Sequence, residues 1–179
     1  MTMALGTLSP SRRPYRRRDD LRRVAWALLR PFWRCSPRPC WPWRNLLLRG
    51  FGARVGRQVR IYPGARIHQP WNLDLGDGCV VARAVTLYAL GPIRLGRGVV
   101  LSQGCHLCAG SHDHHDPAFP LLRPPIHLDD GVWVAAEAFV GPGVTIGARA
   151  VVGARAVVMR DVAAGLVVVG NPARPVGRR

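Results

Sequence analysis

The sequence predicts an all-β fold, a parallel β-helix built from six-residue repeats. From residue 55 onward an aliphatic residue recurs every six positions, and Gly or Ala often follows it at once. A period of six is neither the 3.6 of an amphipathic helix nor the alternation of a simple strand, and it is typical of parallel β-helices. The recurring positions are Val55, Ile61, Ile67, Leu75, Val81, Leu87, Leu95, Leu101, Leu107, Leu128, Val134, Val140, Ile146, Val152 and Val158.

Each hexapeptide is expected to form one short strand and one turn, so that three of them complete a triangular coil of about 18 residues. The aliphatic side chain points inward and stacks on its equivalents in neighbouring coils, and small residues follow because the corner is tight. The spacing of eight between Ile67 and Leu75, and again between Leu87 and Leu95, falls at coil ends. We therefore expect about five to six coils within residues 51–177.

One long loop interrupts the coils. Leu107 and Leu128 are 21 positions apart, which predicts a protruding loop over residues 109–125. The loop includes most of CAGSHDHHDP (108–117), in which three histidines stand beside a serine and two aspartates. Loops that leave a rigid scaffold often carry function. The residues alone fit a metal site, a catalytic base with its helper, or a solvated polar loop.

The first 50 residues form a basic, aromatic arm that we expect to be partly helical. The chain carries a formal charge of +16, all 26 of its basic residues are arginines, and sixteen of them precede residue 67. The apolar run VAWALLRPFW (24–33) is too short to span a bilayer, which needs about 20 residues. It fits either a helix lying on a membrane surface or a helix packed on its own domain.

From this arm we expect weak, salt-sensitive contact with anionic membranes through residues 12–49. A nucleic-acid partner is not expected, because no DNA- or RNA-binding motif is visible. The five cysteines are odd in number and no secretory signal is recognisable. We therefore expect a cytoplasmic protein whose contact with lipid is limited to peripheral association at the inner face of the membrane.

Several segments resemble the hexapeptide-repeat acyltransferases. Residues 131–161, GVWVAAEAFVGPGVTIGARAVVGARAVVMRD, are similar to the last coils of that family, and VGNPARPV (169–176) is similar to its closing motif. SQGCHLCAGSHD (102–113) and PWNLDLGDG (70–78) look most like the colanic acid biosynthesis acetyltransferase branch. The resemblance implies a left-handed parallel β-helix, a homotrimer, and a cleft between two subunits where acetyl-CoA meets its acceptor.

The resemblance implies that His112, at the start of the protruding loop, is the general base. A neutral imidazole, with an ordinary pKa of about 6.5, can remove the proton of a sugar hydroxyl. Asp113 is the carboxylate expected to hold the imidazole, and Asp116 is a second candidate. Ala82 stands where several sugar O-acetyltransferases have an asparagine that orients the acceptor. The acceptor contacts are therefore expected from Arg83, Tyr88, His114 and Asp116.

The same resemblance places the pantetheine arm of acetyl-CoA along the coil edges. The expected contacts are Trp133, Ala136, Ala154, Met159, Arg160 and Arg174. No metal is expected, because three ligands from His112, His114 and His115 would be hard to aim at one tetrahedral centre. Cys105 and Cys108 have CxxC spacing but lack the second pair that would complete a zinc site.

We therefore expect an acetyl-CoA-dependent O-acetyltransferase that acts on a saccharide hydroxyl, in exopolysaccharide or other glycan biosynthesis. The acceptor can be a free or a lipid-linked glycan. Two other interpretations stay open. One is a non-catalytic β-helix that serves as a scaffold or binding protein. The other is a metal-dependent enzyme similar to the gamma-class carbonic anhydrases, which use the same β-helix.

Overall fold

The computed structural model describes residues 17–179. Two helices come first, α1 (Arg17–Cys35) and α2 (Trp41–Gly50), and strands follow from residue 54 onward. The first sixteen residues lie outside the described range. They include the start of the arginine-rich segment from which membrane contact was expected. No helix within residues 17–179 is long and apolar enough to cross a bilayer.

The strands are grouped in threes, one group to each coil. In chain order they are β1 (Arg54–Val55), β2 (Arg60–Ile61), β3 (Arg66–His68); β4 (Leu73–Leu75), β5 (Val80–Val81), β6 (Thr86–Tyr88); β7 (Ile93–Leu95), β8 (Val100–Leu101), β9 (His106–Cys108). A hairpin follows, formed by β10 (Ser111–His112) and β11 (Leu121–Leu122). The remaining strands are β12 (Ile126–Leu128), β13 (Trp133–Val134), β14 (Phe139–Val140); β15 (Thr145–Ile146), β16 (Val151–Val152), β17 (Val157–Val158); and β18 (Leu166–Val169), β19 (Arg174–Arg178).

The strands stack into three parallel sheets, which form the faces of a β-helix. The first face has the order β1-β4-β7-β12-β15, the second β2-β5-β8-β13-β16-β18, and the third β3-β6-β9-β14-β17. Strand β19 turns back and pairs antiparallel with β18. The predicted all-β, parallel β-helix is therefore confirmed, with five complete coils and part of a sixth.

The six-residue repeat forms the core of this β-helix. On the second face, for example, Ile61 pairs with Val81, Val81 with Leu101, and Leu101 with Val134. All of the recurring aliphatic side chains are buried except Val55, which is half-buried in the first coil. A second buried side chain lies two positions before each of them, and it is most often Val, Ala or Cys.

Cys79 and Cys105 occupy positions in this second buried set. Burial raises the pKa of Cys79 to about 11 and that of Cys105 to about 12, so both thiols are neutral wall residues. The glycines that follow many aliphatic residues allow successive coils to approach closely. A Cβ atom on Gly76 would lie 2.7 Å from the carbonyl carbon of Gly96 in the next coil.

The two helices close the N-terminal end of the β-helix. Along the strands, each coil donates backbone N–H groups to carbonyl oxygens of the following coil, so the strand carbonyls of the first coil point toward the open end. Side chains from the helices donate to these carbonyls: Trp26 Nε1 to Ile67 O (2.9 Å), Arg44 Nε to Ile61 O (2.7 Å) and Asn45 Nδ2 to Val59 O (2.9 Å). Residues 17–50 therefore act as a cap that satisfies an otherwise unpaired coil edge.

Candidate active site

The protruding loop leaves the third coil after β9 and folds back as a hairpin. Ser111 pairs with Leu122 and His112 with Leu121 in an antiparallel ladder. The Asp113 N–H donates to Pro120 O (3.1 Å), and the Phe119 N–H donates to Asp116 O (2.8 Å), so backbone hydrogen bonds continue beyond the ladder. His112 consequently lies on an ordered strand pair at the root of the loop. The six-residue count predicted the loop but not this hairpin.

The His112 ring has a defined orientation. Its Nδ1 lies 2.9 Å from the carbonyl oxygen of Phe119, and the two rings are stacked with centroids 4.4 Å apart and planes 9° apart. A carbonyl oxygen can only accept a hydrogen bond, so Nδ1 carries the proton. In the neutral ring Nε2 then keeps a free lone pair, which is the form that a general base requires.

The two loop carboxylates contact the backbone. Asp113 Oδ1 accepts from the His115 N–H (3.0 Å), and Asp116 Oδ1 accepts from the Ala118 N–H (2.8 Å). Both contacts link residues two positions apart, which is how aspartates shape turns. The structure thus places the Phe119 carbonyl, rather than the expected Asp113 carboxylate, on His112. Phe119 was not singled out from the sequence, because a backbone carbonyl leaves no residue-type signal.

The other two histidines of the loop lie at its exposed tip. His114 and His115 are both solvent-exposed, with ring centroids 4.0 Å apart. Within the part of the chain that the structure describes, no group of three or more His, Cys, Asp or Glu residues is arranged to hold a metal ion. Cys108 is half-buried on β9, and its Sγ contacts Gly110 O at 3.3 Å.

A groove of about 590 Å³ lies between α1 and the third face of the β-helix. Its lining includes Arg23 and Arg30 from α1 together with His68, Trp71 and Tyr88. Burial lowers the pKa of His68, and the positive charge of Arg30 lowers it further, so this imidazole is neutral near pH 7. The groove therefore combines aromatic surface with cationic donors.

This groove borders the root of the protruding loop. The Ala109 N–H donates to Tyr88 O (3.0 Å), and the Gly91 N–H donates to Ala109 O (2.6 Å). Tyr88 and the residues that lead to His112 are thus fixed to each other through the backbone. Arg83 does not line the groove: it lies at the exposed corner between β5 and β6. His114 and Asp116 lie on the hairpin tip beyond His112.

The residues expected to contact acetyl-CoA fall into two groups. Met159, Arg160 and Arg174 line one groove of about 540 Å³ near the C-terminus, together with Pro172 and Pro175. The other three lie outside that groove. Ala136 and Ala154 occupy the same corner in successive coils, where the Arg155 N–H donates to Ala136 O at 2.9 Å. Trp133 lies exposed on the second face, and its Nε1 donates to Ser102 Oγ at 3.0 Å.

Comparison with known proteins finds similar sequences and similar folds. The chain is 44% identical over 154 residues to the putative colanic acid biosynthesis acetyltransferase WcaF of Escherichia coli K12. The aligned region covers 86% of this chain and 85% of the relative. It is 25% identical over 136 residues to the galactoside O-acetyltransferase of the same organism, covering 74% of this chain and 67% of that protein. No protein-family model matches the sequence.

Among solved structures, the chain is similar to a hexapeptide-repeat-containing acetyltransferase of Vibrio cholerae complexed with acetyl coenzyme A. The TM-score is 0.85 and the sequence identity 25%, with 93% of this chain and 91% of the other chain covered. The overall fold of this chain therefore recurs in a known acetyltransferase.

Proposed function

The chain belongs to the hexapeptide-repeat acetyltransferases, which use acetyl-CoA, and we propose that it transfers the acetyl group to a saccharide hydroxyl with His112 as general base. The observation that carries the proposal is the contact between His112 Nδ1 and the Phe119 carbonyl. It orients the ring and leaves Nε2 as the basic nitrogen. The similarity to WcaF supports glycan biosynthesis as the setting.

In this mechanism His112 Nε2 takes the proton of the acceptor hydroxyl while the oxygen attacks the thioester carbonyl carbon. The carbon–sulfur bond then breaks, and the imidazolium returns the proton to the leaving thiolate. General-base assistance of this kind contributes about 10²- to 10⁴-fold to a rate. The Phe119 carbonyl holds the tautomer throughout, as a second hydrogen-bond partner does for a catalytic histidine.

We place the acceptor in the groove between α1 and the third face. Tyr88 and Trp71 offer aromatic surface on which a sugar ring can pack, and Arg23 and Arg30 offer hydrogen-bond donors. The link from Tyr88 through Ala109 to the loop root supports a route from this groove toward His112. In this proposal His114, Asp116 and Arg83 contact the outer parts of a larger glycan.

For acetyl-CoA, the proposal uses both groups of residues near the C-terminal coils. Arg160 and Arg174 supply positive charge beside Met159 in one groove, which suits the phosphates of the cofactor. Ala136 and Ala154 leave the backbone of their corner open to the pantetheine arm, and Trp133 is exposed on the second face. The acetyl-CoA complex of the Vibrio cholerae protein supports a donor site on this fold.

We further propose that the enzyme works as a homotrimer in the cytoplasm. The His112 ring is exposed in a single chain, and a neighbouring subunit would enclose it and exclude water from the reaction. The five cysteines are all unpaired, which suits a reducing compartment. No step of the proposed mechanism requires a metal.

The test is an acceptor screen with purified protein and acetyl-CoA. Soluble mono- and oligosaccharides are incubated with the enzyme, and mass spectrometry detects the addition of one acetyl group while a thiol reagent measures the release of coenzyme A. We expect both signals to appear together for at least one saccharide. Thiol release without an acetylated saccharide, or acetylation of amines alone, would contradict the proposal.

A further inference from the structure

Helix α1 presents an exposed apolar stripe to the surroundings. Leu21, Val24, Leu28 and Phe32 are 73%, 59%, 69% and 66% exposed. Their spacing of three to four residues places them on one side of the helix. Single exposed apolar residues are common on protein surfaces, but a contiguous row of four large ones marks an interaction surface.

The opposite side of α1 is already occupied. Trp26 and Trp33 are buried against the β-helix, with their ring centroids 5.7 Å apart, and Trp26 Nε1 donates to Ile67 O at 2.9 Å. These contacts fix the rotation of α1 about its axis. The apolar stripe therefore cannot turn inward while the cap stays in place, and it remains available to a partner.

Positive charge accompanies the stripe. Residues 12–34 contain nine arginines and two aspartates, and Arg22, Arg30 and Arg34 are exposed on α1. Asp20 is paired with Arg23 on the same helix at 3.7 Å. An apolar stripe on a helix whose other sides carry exposed arginines is the pattern of a helix that lies in the headgroup region of an anionic bilayer. A symmetric contact with a second copy is disfavoured, because it would bring like charges together.

We propose that α1 docks on an anionic lipid bilayer, with the stripe at the acyl boundary and the arginines among the headgroups. Val24 belongs to the stripe and also lines the acceptor groove. Docking would therefore bring that groove to the bilayer surface, where a saccharide carried on a lipid is presented. This last consequence rests on the proposed function, whereas docking itself does not.

The test is flotation of the full chain with vesicles of phosphatidylcholine alone or mixed equally with phosphatidylglycerol. We expect binding to the mixed vesicles only, and its loss at high salt. The double substitution Leu28→Ser with Phe32→Ser should weaken binding by roughly tenfold or more. The matched control is Val176→Ser, another exposed apolar residue, at 62% on β19, and it should bind as the wild type does.

Arg34→Glu provides a second variant that keeps the apolar stripe intact. It should also weaken binding to the mixed vesicles, and neither it nor the double substitution should change thiol release with a soluble acceptor. The proposal would be overturned if the wild type, the Leu28→Ser/Phe32→Ser variant and the Arg34→Glu variant all floated equally. A lower oligomeric mass of the double variant by light scattering would also overturn it, because the stripe would then be a contact between subunits. Loss of flotation with intact acetyl transfer separates this proposal from the proposed function.

Discussion

Arg44 gives a direct test of the cap that α1 and α2 form. Its guanidinium is fully buried and donates to four acceptors: Ile61 O (2.7 Å), Ser36 Oγ (2.6 Å), Pro37 O (2.9 Å) and Arg38 O (2.6 Å). The last three are only partly buried, so water can replace the arginine there. The Ile61 carbonyl belongs to the edge of the first coil that the helices cover, and within residues 17–179 Arg44 is its side-chain donor, in a buried contact.

The expected effect of Arg44→Ala follows from these contacts. A buried carbonyl without a donor costs about 1–3 kcal/mol, and the cavity left by the side chain adds about 1 kcal/mol or more. We therefore expect the free energy of unfolding to fall by about 3 kcal/mol and the melting temperature by roughly 6–12 °C. Arg44→Met fills most of the volume, so it should recover the cavity part but not the hydrogen bonds.

The assay is urea unfolding at one fixed protein concentration, with circular dichroism as the readout. Arg54→Ala is the control, because Arg54 is exposed and its ion pair with Asp74 is long, at 3.8 Å. It should change the free energy of unfolding by less than about 0.5 kcal/mol. If Arg44→Ala and Arg44→Met both unfold like Arg54→Ala, the helices do not cap the β-helix as described.

Three further predictions concern the grooves. Tyr88→Ala should lower kcat/KM for the saccharide by roughly tenfold or more and leave the KM for acetyl-CoA unchanged, because Tyr88 lines the groove that we propose for the acceptor. An equal rise in both KM values would contradict this. Arg174→Ala should raise the KM for acetyl-CoA and leave the KM for the saccharide unchanged. An unchanged KM for acetyl-CoA would show that Arg174 does not bind the donor. The pKa of His68 is lowered on folding, so the unfolded chain binds more protons and stability should fall as the pH drops below about 6.5 and through the lowered pKa. His68→Gln should flatten this acid limb in urea unfolding measured across pH, and an unchanged slope would contradict the assignment.

Much of the fold was accessible from the sequence because its core is strictly periodic. Ile61, Val81 and Leu101 stack in register since each coil repeats the same local geometry, and spacing alone specifies which residues meet. The long loop was visible for the same reason, as the one large departure from the period between Leu107 and Leu128.

The cap and the hairpin were not accessible in the same way. Arg44 meets Ile61 only because of how α2 is oriented on the first coil, and no local pattern encodes that orientation. In the loop, the resemblance to the hexapeptide-repeat acyltransferases pointed to His112, and Asp113, with Asp116 as a second candidate, was the expected partner. The Phe119 carbonyl is the observed partner because the hairpin brings Phe119, seven residues further along the chain, next to His112. A backbone acceptor cannot be recognised from the residue type.

The most direct test of the central claim compares His112→Gln with His114→Gln, using the saccharide that the acceptor screen identifies. Glutamine keeps a similar size and hydrogen-bonding capacity but cannot take a proton, so His112→Gln should lower kcat by about 10²- to 10⁴-fold. His114 lies further along the same loop, and its substitution should leave kcat within about threefold of the wild type. A His112→Gln enzyme that turns over as fast as His114→Gln would show that His112 is not the base.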